Sequence, residues 1–82
     1  MSNLQELRQR ITELDKQLLQ TLKERFNVAQ EIGDIKKEHI YDADRERELL
    51  ESWLVAGLDE NFTRALFHMI LNESRSLMMK SE

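Results

Sequence analysis

The 82-residue chain contains no cysteine, no proline and only two glycines, Gly33 and Gly57. Without cysteine it can form neither disulfides nor thiolate metal sites. Its two histidines, His39 and His68, stand far apart with no acidic cluster at ligand spacing, so no metal is expected. No apolar run is long enough to span a bilayer, and MSNLQELRQR has no apolar signal-peptide core, so a cytoplasmic chain is expected. Positive charge is also in short supply. A net charge of −4 argues against nucleic acid and against anionic membranes as partners, since both need a surplus of Lys and Arg on one face. A small anionic ligand, which needs only a local group of cations, is not excluded.

What remains is rich in Leu, Glu, Gln, Lys and Arg, all good helix formers. One domain over residues 1–82 is expected, all-α, with one long and two shorter helices. The first runs from about Asn3 to Lys37, with apolar residues at Leu4, Leu7, Ile11, Leu14, Leu18, Leu22, Val28, Ala29, Ile32 and Ile35. A helix of that length extends roughly 50 Å. Two later helices of about fifteen and twenty residues cannot cover its whole apolar stripe. A second copy of the chain is therefore expected along it. Gly33, inside this helix, either weakens the last turn or admits another backbone at close range.

Asp42 is the expected N-cap of a second helix reaching Ala56, with Tyr41, Leu49, Leu50, Trp53 and Leu54 as its apolar residues. Gly57 suits the left-handed position that ends a helix, with Leu58 as the accompanying hydrophobic contact. Asp59 caps a third helix to about Lys80, whose stripe is read as Phe62, Leu66, Met69, Ile70 and Leu77.

Polar residues in apolar positions mark the candidate site. Steps of seven from Leu4 pass through Ile11, Leu18, Arg25 and Ile32, so Arg25 sits in the hydrophobic seam. A buried guanidinium must meet a carboxylate or water. Lys36, three turns on, returns to nearly the same face, and two such cations can hold an anion between them. The plainer account pairs Arg25 with a nearby Glu and leaves Lys36 in solvent. Asp42, Arg45 and Glu46 share one sector of the second helix, which is either a site or a solvated, salt-bridged helix start. Ser74 lies on the stripe of Leu66 and Ile70, where a serine ordinarily bonds its own backbone.

The segments LRQRITELD (Leu7–Asp15), LLQTLKERFNVAQEIGDIK (Leu18–Lys36), DADRERELLE (Asp42–Glu51) and ESRSL (Glu73–Leu77) together resemble the all-helical class of chorismate mutases. The resemblance covers nearly the whole chain. It implies an intertwined homodimer and an isomerase of aromatic amino acid biosynthesis, which converts chorismate to prephenate without a cofactor. It also implies roles by position. Arg8 reaches into the neighbouring subunit's site, and Arg25 grips a substrate carboxylate. Lys36 bonds a carboxylate and the ether oxygen. Asp42, Arg45 and Glu46 hold the ring hydroxyl and a carboxylate, and Ser74 lies near the ring carboxylate.

Two positions depart from the family. Met78 stands where Gln or Glu usually donates to the ether oxygen, and a thioether cannot donate. The connection from Lys36 to Asp42 is about three residues shorter than usual. Met78 implies a mutase of reduced activity. It also keeps open a relative acting as isochorismate-pyruvate lyase or 4-amino-4-deoxychorismate mutase, and a non-catalytic dimerisation or regulatory domain.

Overall fold

The computed structural model of the chain describes residues 3–35 and 42–80. They form three helices, α1 (Leu4–Ile35), α2 (Ala43–Leu54) and α3 (Glu60–Lys80), and no strand occurs among the described residues. The last residues expected in the first helix, Lys36 and Lys37, lie outside the described residues, as does Tyr41.

Each helix starts on a side chain that satisfies a free backbone amide. Asn3 Oδ1 accepts from the Glu6 amide at 2.9 Å, Asp42 Oδ1 from Arg45 at 3.1 Å, and Asp59 Oδ2 from Phe62 at 2.9 Å. The end of α2 differs from expectation. The helix stops at Leu54, with Val55 as its cap, and the Ala56 amide turns back to the Trp53 carbonyl at 3.1 Å. This tighter final turn closes the helix two residues early. Gly57 then stands one position beyond the expected one, at φ +94°, and Leu58 is exposed.

Both α1 and α2 pack against α3. The core is Phe67, Ile70 and Leu71 of α3, covered by Leu22 and Phe26 of α1 and by Leu49, Leu50 and Trp53 of α2. Trp53 meets Phe67 edge-to-face at 5.0 Å between centroids. This corrects the expected stripe of α3. Ile70 is buried as expected, but Phe62 and Met69 are exposed, and the inward face runs through Thr63, Phe67, Ile70, Leu71 and Ser74. Apolar residues occur on more than one side of α3, so spacing alone admitted two faces, and the packing against α1 and α2 chose the other. No residue of α2 is fully buried.

Gly33 admits another backbone. A β-carbon on Gly33 would lie 2.6 Å from Met78 Cα and from its carbonyl oxygen, so the missing side chain lets the end of α1 touch α3 main chain to main chain.

The molecule is elongated, 54 × 26 × 14 Å, with a radius of gyration of 16.0 Å. A compact chain of this length has about 12 Å. Its accessible surface is 6973 Å². A compact monomer of the same mass exposes about 5,200 Å². An apolar stripe runs along α1, where Leu4, Leu7, Ile11, Leu14, Leu18 and Leu19 are all exposed. No helix among the described residues is long and apolar enough to cross a membrane.

Candidate active site

A partly open cleft of about 490 Å³ lies where the C-terminal half of α1, the start of α2 and the second half of α3 meet. Small-molecule sites span roughly 300–1,000 Å³. Helix α1 contributes Arg25, Val28, Ala29 and Ile32, the start of α2 contributes Asp42, Arg45, Glu46 and Leu49, and α3 contributes Leu71, Ser74 and Met78. The apolar members form the walls, and four charged residues line the same space.

Arg25 is half-buried, and among the described residues no carboxylate pairs with it. Its Nη1 donates to Ser74 Oγ at 2.9 Å, and its guanidinium lies over the Trp53 ring, 5.9 Å from the centroid. Burial, and after it the neighbouring charge of Arg45, hold the Arg25 pKa below its ordinary value. Among the described residues, then, the plainer account of a pairing with Glu is not adopted. An uncompensated cation is held in place by a hydroxyl and an indole.

Ser74 is 1 % exposed. Its hydroxyl donates to the Ile70 carbonyl at 2.8 Å while accepting from Arg25. A hydroxyl carries one proton, and here the backbone of α3 takes it. Ser74 thus bonds its own helix, as serines in such positions do, and also orients Arg25.

The two carboxylates of the cleft are engaged elsewhere. Asp42 caps α2 through the Arg45 amide. Glu46 receives Arg75 of α3, one terminal nitrogen of which bridges both carboxylate oxygens. Arg45, like Arg25, has no carboxylate partner among the described residues. The result is a cleft with two available guanidinium groups and two occupied carboxylates. Such a lining favours an anion with more than one negative group.

Residues 7–79 match the family model described as chorismate mutase type II. The chain belongs to that family. The chain is 39% identical, over 83% of its length, to the bifunctional chorismate mutase/prephenate dehydratases of Escherichia coli (strain K12) and Shigella flexneri. It is 37% identical, over the same share, to the protein of that description from Enterobacter agglomerans. It covers 19% of each, so it spans about a fifth of the length of the curated relatives it matches. No solved structure matches the chain.

Of the residues singled out in the sequence, the fold brings Arg25, Asp42, Arg45, Glu46, Ser74 and Met78 to one cleft. Arg8 is exposed on α1 and does not line it. Seventeen residues of helix separate Arg8 from Arg25, about 25 Å along the axis. Lys36 lies outside the described residues. Sequence reasoning missed two participants. Trp53, whose spacing marks it only as an apolar core residue, also carries the Arg25 guanidinium. Arg75, beside Ser74, is the other. Its signal was a cation next to an inward-facing position, but its partner Glu46 is 29 residues away and no helical spacing links them.

Proposed function

We propose that two copies of this chain form an intertwined cytoplasmic homodimer that converts chorismate to prephenate, with a turnover reduced by Met78. The observation that carries the reading is the pair Arg25 and Arg45: two guanidinium groups beside one cleft, with no carboxylate of the described residues on either. Chorismate is a dianion, and its rearrangement is intramolecular. The reaction asks for no nucleophile and no general base. It asks that the enolpyruvyl arm be held over the ring, and that positive groups face the ether oxygen, where negative charge grows as the C–O bond breaks.

In this reading Arg25 grips one carboxylate, oriented by Ser74 and Trp53. Arg45 holds another acceptor of the substrate, and Glu46 accepts the ring hydroxyl. Lys36 supplies the donor at the ether oxygen, as the family resemblance implies. Arg8 enters from the second subunit, which the roughly 25 Å between it and Arg25 on one helix makes necessary if both act in one site. The exposed apolar stripe of α1 is the surface on which the second copy packs.

Met78 lines the cleft and cannot donate a hydrogen bond. Losing one donor to a developing oxyanion commonly costs about 3 kcal/mol, two to three decades in rate. Met78 is also what favours a second reading, a domain that binds the dianion or a partner subunit without turning chorismate over. Purified protein incubated with chorismate, and in parallel with isochorismate, decides between them. Loss of chorismate ultraviolet absorbance with prephenate as product is the expected result. Pyruvate release from isochorismate alone would assign the lyase, and no turnover of either would leave the non-catalytic role.

A further inference from the structure

We infer that Arg75, which lies behind the wall of the cleft, is a positioning residue that neutralises and fixes Glu46 so that this wall accepts a substrate hydroxyl instead of repelling a dianion. The inference rests on the chorismate reading above.

Three observations carry it. First, among the described residues that line the cleft, the carboxylates of Asp42 and Glu46 stand beside the guanidinium groups of Arg25 and Arg45. Left uncompensated, the Glu46 carboxylate would oppose the dianion that the two arginines attract. Second, Arg75 reaches Glu46 from outside the cleft, with one nitrogen on both carboxylate oxygens, and donates to Asn72 Oδ1 at 3.4 Å with the other. Third, the pair is partly shielded, the Glu46 side chain being 19% exposed and that of Arg75 32%. Charges so placed are screened less than surface pairs, so Arg75 changes what the ligand meets.

The geometry also preserves function in the neutralised group. A carboxylate has about four lone-pair sites. A guanidinium nitrogen bridging the two oxygens leaves others for a ligand in the cleft that Glu46 lines. Glu46 can therefore accept from a hydroxyl while its charge is compensated from behind. The hold of Arg75 from α3 on both oxygens also limits the rotamers open to Glu46.

A double-mutant cycle separates this role from a simple tie between α2 and α3. Arg75→Met is expected to raise the KM for chorismate at least tenfold, with kcat within about threefold of the parent. Glu46→Gln removes the anion that Arg75 compensates. Adding Arg75→Met to Glu46→Gln is therefore expected to leave KM within about twofold of Glu46→Gln alone. Arg75→Lys, which restores the charge, is expected to recover most of the lost affinity. Arg75→Gln, which keeps a hydrogen bond to Glu46 without the charge, takes the place of Arg75→Met should the latter not fold, with the same rise in KM expected. Unchanged KM in the charge-removing variant overturns the inference, as does an equal rise in both backgrounds. If the parent protein turns chorismate over and the cycle fails, only the role of Arg75 is lost. A parent protein inert toward chorismate removes the reading and the inference together.

Discussion

Gly33 and Met78 meet main chain to main chain: a β-carbon on Gly33 would come within 2.6 Å of Met78 Cα. Contact this close fixes where α3 passes the end of α1, and so fixes the position of the thioether at the back of the cleft. The obstacle to any larger residue is backbone, which cannot rotate aside. Gly33→Ala gains about 1 kcal/mol of helix propensity, and overpacking of a tight contact costs about 1–3 kcal/mol. The expected net result is a destabilised protein with weaker substrate binding, measured by urea denaturation and KM. An alanine variant as stable as the parent would contradict the close approach.

The Arg25–Ser74 bond predicts a two-part effect of Ser74→Ala. Arg25 Nη1 loses its acceptor at a half-buried site, which costs about 0.5–1.5 kcal/mol of stability. The guanidinium also loses its aim, so affinity for a bicyclic mimic of the rearranging substrate is expected to fall several-fold. Calorimetric titration reads the second effect and denaturation the first. A variant that loses stability and keeps full affinity would confine Ser74 to a structural role.

Met78→Gln is expected to raise chorismate turnover, by up to the two to three decades that one oxyanion donor supplies. The measurement is the initial rate of absorbance loss. A lower or unchanged rate would show that the side chain at this position does not face the breaking bond.

The distance between Arg8 and Arg25 allows the shared site to be tested without a structure of the dimer. Arg8→Ala and Arg25→Ala chains are each expected to be inactive. Unfolded together and refolded in equal amounts, half of the dimers are mixed, and each mixed dimer has one site with both arginines intact. The expected activity is about a quarter of the parent's. Mixtures as inactive as their components would mean that the two arginines do not serve one site across subunits.

How far the sequence could be read depended on how local each determinant was. The long helix and its unpaired stripe were legible, because thirty-odd residues of regular spacing leave one interpretation, and the structure leaves Ile11, Leu14 and Leu18 exposed as that spacing implied. The caps Asp42 and Asp59 were legible for the same reason, since each acts within three residues. The inward face of α3 was not. Phe62 and Met69 fit a helical stripe as well as Phe67 and Leu71 do, and only contact with the other helices separates them. In the cleft, Arg25, Arg45, Glu46, Ser74 and Met78 were found as polar intruders or by family resemblance. Arg75 and the Trp53 platform depend on which residues of distant segments come within a few ångströms, and no periodicity encodes that. The choice left open for Gly33 was of the same kind.

A helix that supplies Arg45 and Glu46 to the cleft, follows directly on Asp42, and buries none of its own residues fully is held, among the described residues, mainly by its contact with α3. Amide hydrogens of α2 should accordingly exchange with deuterium sooner than those of the middle of α3, since opening it sacrifices the least packing. Occupancy of the cleft would supply the missing anchorage, so ligand-induced slowing of exchange should be greatest in the first turns of α2. Recognition and the ordering of this helix would then be a single event.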